Sequence, residues 1–340
     1  MGMKIFKKDQ YILVNDSYTL TYPNNNTMTT FKSIEDILYL IYANKKNSII
    51  SYNIIDNKKI NEIKNAHSNI IINFKHHLDS INKCDLIISI SLDGNIKLWN
   101  INKIECLFNI NKATFLYSAC FLKDNNNNQI YIITGNIFIR VYDLKGNIVK
   151  VISEPNERSY IIDSYYDKKL LKNFIITGNE DQAKSINYDY NIIYHKYVSR
   201  DDEDEEESIP HNSLFIYDKD NITKLLESSL DGYIRIWNFH SGKLLNKIKA
   251  GIQIVRGGNI RNHFLEILCG VNLWDDNYLI AACNNGIKFI DLKNGIIVKK
   301  IDENNVITIQ KLKHPKFGEC LISQGNENSK IKLWIIKNVF

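Results

Sequence analysis

No run of about 18 apolar residues occurs anywhere in the 340-residue chain, so it holds no candidate transmembrane helix. The opening MGMKIFKKDQ lacks the apolar stretch of a signal peptide, and Phe6 stands where a myristoylation signal needs Ser or Thr. A cytoplasmic protein is expected, with the nucleus as the second option. The six cysteines (84, 106, 120, 269, 283, 320) include no C-x-x-C pair, which points to reduced core thiols rather than disulfides or zinc. P-loop, G-x-G-x-x-G, H-E-x-x-H and G-x-S-x-G patterns are all missing. His76-His77, the one histidine pair, has no partner at ligand spacing and reads as an exposed strand edge. No cofactor or metal is expected, and the chain is not expected to be an enzyme.

What the chain has is a repeat. SLDGNIKLWN (Ser91–Asn100) returns as SLDGYIRIWN (Ser229–Asn238), with seven of ten positions identical 138 residues apart. Asp-Gly signals a tight turn, and the alternating β-branched and aromatic residues after it signal a strand. Each copy is two strands and their turn, too little to stand alone in water. Two marker slots extend the pattern. The Trp slot falls on Tyr52, Trp99, Tyr142, Asn187, Trp237, Ile290 and Trp334, at spacings of 47, 43, 45, 50, 53 and 44. Six residues earlier stand Lys46, Asp93, Asn136, Asp181, Asp231, Asn284 and Asn328, and Asp or Asn is what a tight turn wants there. A further apolar run follows every Trp slot but the last.

This pattern resembles the WD-repeat family over essentially the whole chain. The resemblance implies an all-β fold, a seven-bladed β-propeller of four-stranded antiparallel blades. The expected blades are about 25–63, 64–109, 110–152, 157–198, 208–248, 262–301 and 305–340. The last lacks an outer strand, and a bare sheet edge is a liability. A strand from 3–22 is therefore expected to complete it and close the ring. Length and a hydrophobic content of 44% suit a single domain of this kind. The literal Trp274-Asp275 pair falls between first and second strands and reads as a solvent-edge loop.

The family also implies a hydrogen-bond network inside a blade. Its members would be His67, Ser89 or Ser91, Asp93 and Trp99 in the second blade. In the fifth they would be His211, Ser229, Asp231 and Trp237. A buried indole N–H and a carboxylate each need partners, so this blade role is preferred over a hydrolase triad.

Two long blade-to-blade loops carry the charge. Asp201, Asp202, Glu203, Asp204, Glu205, Glu206 and Glu207 form an unbroken acidic run in an insertion over 199–213. The chain is +5 overall and this run contributes −7, so the remainder carries +12. The run reads as a solvated loop or as an acidic flap for a basic partner. In the next loop, Arg256, Arg261 and His263 flank Gly257 and Gly258, a setting suited to capturing carboxylate or phosphate. A smaller basic cluster, Lys311, Lys313, His314 and Lys316, is placed near a bottom loop. The innermost strands, judged from FLYSACFL and FLEILCGV, read as apolar, which argues against a channel enzyme. The expected function is a scaffold that binds one or more partner proteins through the top face, with no membrane insertion, nucleic acid or small-molecule substrate. The alternatives are a reader of acidic or phosphorylated peptides through the Arg loop, or a propeller enzyme using the central channel.

Overall fold

The computed structural model describes residues 8–14, 27–111, 118–135, 138–153, 159–179, 182–198, 211–229, 231–251, 268–303, 306–325 and 330–336. These residues form strands and no helices. β1 (Lys8–Val14) precedes the first blade. Blade 1 is β2 (Met28–Lys32), β3 (Leu38–Ala43), β4 (Ile49–Asn53) and β5 (Lys58–Ile63). Blade 2 is β6 (Ile71–Asp79), β7 (Cys84–Ser91), β8 (Asn95–Asn100) and β9 (Glu105–Asn111). Blade 3 is β10 (Ser118–Lys123), β11 (Ile130–Gly135), β12 (Phe138–Tyr142) and β13 (Ile148–Ser153). Blade 4 is β14 (Ile161–Asp167), β15 (Lys172–Gly178), β16 (Ala183–Asn187) and β17 (Ile192–Tyr197). Blade 5 is β18 (His211–Lys219), β19 (Ile222–Ser229), β20 (Tyr233–Asn238) and β21 (Leu244–Lys249). Blade 6 is β22 (Leu268–Leu273), β23 (Tyr278–Cys283), β24 (Gly286–Asp291) and β25 (Ile297–Ile301). Blade 7 is β26 (Val306–His314), β27 (Gly318–Gly325) and β28 (Ile331–Ile336), with β1 as its outer strand.

Every sheet is four-stranded and antiparallel, six of them in simple chain order, and the seven make a seven-bladed β-propeller. β1 pairs antiparallel with β28, placing Gln10 opposite Trp334, so the N-terminal strand closes the ring. The backbone groups of β28 that would face solvent are thereby satisfied.

Packing follows the ring. The described residues form seven apolar clusters, one for each pair of neighbouring blades. Trp99 sits in the cluster between blades 1 and 2, Trp237 between 4 and 5, and Trp334 between 6 and 7. Trp274 also belongs in this core, against the expectation from sequence. It lies between β22 and β23, but its ring packs edge-on against Phe289 at 5.5 Å and the residue is buried. An indole contributes too much apolar area to leave in solvent where a core cluster is within reach.

A bulge recurs between the third and outer strands, falling at Tyr52, Trp99, Tyr142, Trp237 and Ile290. In blade 4 it falls at Ile186, opposite Ile175 as Trp99 is opposite Ile87. The fourth marker is therefore Ile186, and Asn187 takes the place of Asn100. Counted between paired residues, the hairpin from β15 to β16 is one residue shorter than that from β7 to β8, a difference that average spacing does not locate.

Asparagine does much of the work that glycine usually does in turns. Of the eleven non-glycine residues with left-handed φ among those described, six are Asn: 47, 57, 65, 128, 191 and 221. Asn tolerates this region because its short side chain can bond locally.

Candidate functional site

In blade 2, four side chains from four elements meet beneath the top face. The indole N–H of Trp99 on β8 donates to Ser89 Oγ on β7 at 2.8 Å. Ser89 Oγ lies 2.7 Å from His67 Nε2, and His67 Nδ1 lies 3.1 Å from Asp93. One proton arrangement satisfies all of them: the Ser89 hydroxyl donates to Nε2, and Nδ1–H donates to the carboxylate. That makes His67 neutral. Burial pushes its pKa down to about 4, with Asp93 opposing and Lys97 assisting. Burial alone would raise Asp93, but His67 and the N–H groups of Ser68 and Asn95 hold it below the usual carboxylate range. Ser91 has a separate task, donating to Asn69 O and accepting from Asp93 N–H within the turn.

Blade 5 keeps the turn but not the network. The residue in the place of Ser89 is Glu227, 138 positions on. Its Oε2 lies 2.5 Å from His211 Nε2, while His211 Nδ1 lies 2.5 Å from the carbonyl of Asn179. Both partners are acceptors, so both ring nitrogens donate and His211 is an imidazolium. Burial opposes that charge, but Glu227 outweighs it and the pKa is raised. Asp231 bonds Arg235 and accepts from Ser229 Oγ at 2.6 Å, so it does not reach His211. Trp237 is buried, and its indole N–H has no hydrogen-bond partner among the described residues. Comparing LESSLDG with IISISLDG would have exposed the Glu-for-Ser exchange.

Sequence reasoning also missed a set of cations two residues before the Trp slot: Lys97, Arg140, Lys184, Arg235, Lys288 and Lys332. Lys97 Nζ donates to Ala66 O at 2.5 Å and Lys288 Nζ to Ala250 O at 2.6 Å, while Lys332 bonds Glu303. Each of these three ties a third strand to the residues that follow the outer strand of the preceding blade. In blade 7, Trp334 donates to Ser323 Oγ at 2.8 Å.

The central channel is polar, contrary to the expectation drawn from two of its seven strands. It encloses about 320 Å³, and its lining includes Asn73, Lys75, Asp163, Asn212, Asn272 and Gln310. Most of this polarity staples neighbouring inner strands together. Ser118 Oγ accepts from Ile162 N–H, Ser213 Oγ from Val271 N–H, and Gln310 bonds Thr30 N–H and Met28 O. Lys75 on β6 reaches Asp163 on β14 at 3.4 Å, past blade 3, and this pair raises the Lys75 pKa. Asn73 Oδ1, also in this lining, is buried without a hydrogen-bond partner among the described residues.

His76-His77 lies on innermost β6, not at a strand edge. His76 stacks on Phe31 at 3.7 Å and bonds the buried Asp85 at 2.8 Å. The basic cluster of blade 7 is split: Lys311 pairs with Glu319 at 3.0 Å, and His314 is buried at the end of β26. Of the cysteines, Cys120, Cys283 and Cys320 are buried and Cys106 is exposed. No helix among the described residues is long and apolar enough to cross a membrane. Arg256, Arg261, His263 and the acidic run 201–207 lie outside the described residues. No protein-family model matches the chain, and no curated protein matches it.

Proposed function

We propose that the chain is a WD-repeat-type propeller that serves as a non-catalytic scaffold, binding partner proteins through its top face in the cytoplasm. The observation that carries this reading is the blade 2 network. His67 on the entry segment, Ser89, Asp93 in the turn and Trp99 are bonded in the arrangement that the WD-repeat resemblance implies. A second feature supports it: His67, His76 and His211 are each consumed in holding strands together. Rigid blades stapled in this way present loops at fixed positions, which favours recognition with little ordering cost.

Lysine crosslinking with mass spectrometry on the native protein and its co-purifying partners tests the reading. Exposed Lys45, Lys46 and Lys64 lie on the top face, while Lys83, Lys103, Lys168 and Lys293 lie on the bottom. Crosslinks to partners concentrated on the first three are expected. Crosslinks confined to the bottom four, or isolation of a protein with no stoichiometric partner, contradict it.

A further inference from the structure

On the bottom face, between blades 5 and 6, a cleft of about 420 Å³ is lined by Tyr217, Lys219, Lys224, Ile236, Leu245 and Lys293 among others. Three ammonium groups share it, and the one acid in the lining is Asp220. Lys224 reaches that acid only at 3.8 Å, and Asp220 is itself 72% exposed. Lys219 and Lys293 make no side-chain ion pair or hydrogen bond among the described residues. Among the lining residues three lysines therefore stand against one aspartate, and the nearby carboxylates of Asp291 and Asp275 are engaged with backbone N–H groups at the lip of the cleft. Its floor is apolar, with Ile236 and Leu292 buried.

The cations stand on rigid supports. Lys219 precedes a two-residue hairpin turn in which Asp220 and Asn221 have φ of 54° and 60°, the signature of a type I′ turn. On the opposite lip, Asp291 Oδ1 accepts the N–H groups of Lys293 at 2.7 Å and Asn294 at 3.1 Å, and Gly295 closes the turn with φ 67°. Asn277, also in the lining, is held by Asp275 Oδ1 at 2.8 Å. Tyr217 adds a hydroxyl that burial keeps protonated, its pKa pushed up to about 12.

We propose that this cleft binds a phosphate monoester carried on an apolar or aromatic body about the size of a nucleoside monophosphate. Three lysines converging on one cleft suit a dianionic phosphate, since lysines are effective point-charge partners for it. The apolar floor receives the body, and the volume lies within the roughly 300–1,000 Å³ of small-molecule sites. The phosphate can belong to a free small molecule or to a phosphorylated tyrosine side chain, which share this chemistry. The site lies on the face opposite the one assigned to partner proteins and stands independently of that assignment.

Calorimetric titration of the full chain with AMP, adenosine, inorganic phosphate and a phosphotyrosine tripeptide tests it. AMP or the phosphotyrosine peptide should bind at least tenfold more tightly than inorganic phosphate or adenosine, and more weakly as salt rises. Whichever of the two binds identifies the source. Lys219→Glu with Lys293→Glu should lose at least tenfold in affinity. Lys83→Glu with Lys103→Glu, on the bottom of blade 2, should lose nothing. If the Glu pair misfolds, Lys219→Met with Lys293→Met carries the same expectation with a smaller charge change. No binding of either ester at millimolar concentration, or binding unchanged in the cleft variants, overturns the proposal.

Discussion

Blades 2 and 5 carry nearly the same ten residues and hold themselves together by different chemistry. In blade 2 a serine hydroxyl relays between a neutral histidine and an indole. In blade 5 a carboxylate in that place draws the histidine into an ion pair and leaves the indole N–H without a partner among the described residues. Two positions differ between the networks: Glu227 stands where blade 2 has Ser89, and Arg235, which bonds Asp231, stands where blade 2 has Lys97, which bonds Ala66 O. The shared motif therefore fixes the turn and the strand, while the interior bonding depends on Glu227 outside it and on the Lys97-to-Arg235 difference within it.

The largest expected effect removes the support common to both blades. Deleting residues 1–14 takes away β1 and exposes the edge of β28, so a large fall in melting temperature or insoluble protein is expected. A truncated protein that melts like the full chain would show that β1 does not hold the ring closed.

Single substitutions then separate the two blades. Glu227→Ala breaks a buried pair and should cost about 3–5 kcal/mol in denaturant unfolding, because His211 loses its charged acceptor. Ser89→Ala strands only neutral groups and should cost about 1–3 kcal/mol. Equal losses would show that the charge on His211 is not real.

Acidity should act on the blades with opposite sign. His67 has a folded pKa of about 4, below its unfolded value of 6.5, so its contribution is complete above about 6.5 and is lost as pH falls toward 4. The loss should reach roughly 3 kcal/mol. His211 has a raised folded pKa, so its contribution is complete below about 6.5 and is lost as pH rises through the folded value. The stability gap between the parent protein and His67→Gln should therefore narrow as pH falls, and the gap to His211→Gln should narrow as pH rises.

The smallest effect isolates one hydrogen bond. Trp99→Phe and Trp237→Phe remove the same ring volume from buried sites, but only Trp99 donates a hydrogen bond within the described residues. The Trp99 variant should be less stable than the Trp237 variant by about 1 kcal/mol. A difference of the opposite sign would mean that Trp237 has a bonded partner.

Much of the ring was legible because its signals are local. Asp-Gly turns, alternating strands and the spacing of the Trp slots give seven blades, and the missing outer strand of blade 7 pointed to residues 3–22, where β1 occupies Lys8–Val14. Features that depend on register or on three-dimensional neighbours were not legible. Ile186 was displaced by one because the hairpin from β15 to β16 is a residue shorter, with Ile175 and Ile186 paired where Ile87 and Trp99 are paired one residue further apart, and Trp274 finds its core only through Phe289 on another strand. The channel looked apolar because FLYSACFL and FLEILCGV belong to its less polar strands, whereas Asn73, Lys75 and Gln310 come from others. The network of blade 2 was readable residue by residue, but that of blade 5 was not, since Glu227 lies outside the repeated stretch.

The measurement that bears most directly on the contrast between the blades is an NMR titration of the ring resonances of histidine-labelled protein. His67 should remain neutral from pH 7 down to about 4, while His211 should still hold its proton above pH 6.5. If both rings titrate together near 6.5, the two blades share one network and the contrast between a neutral and a charged histidine is wrong.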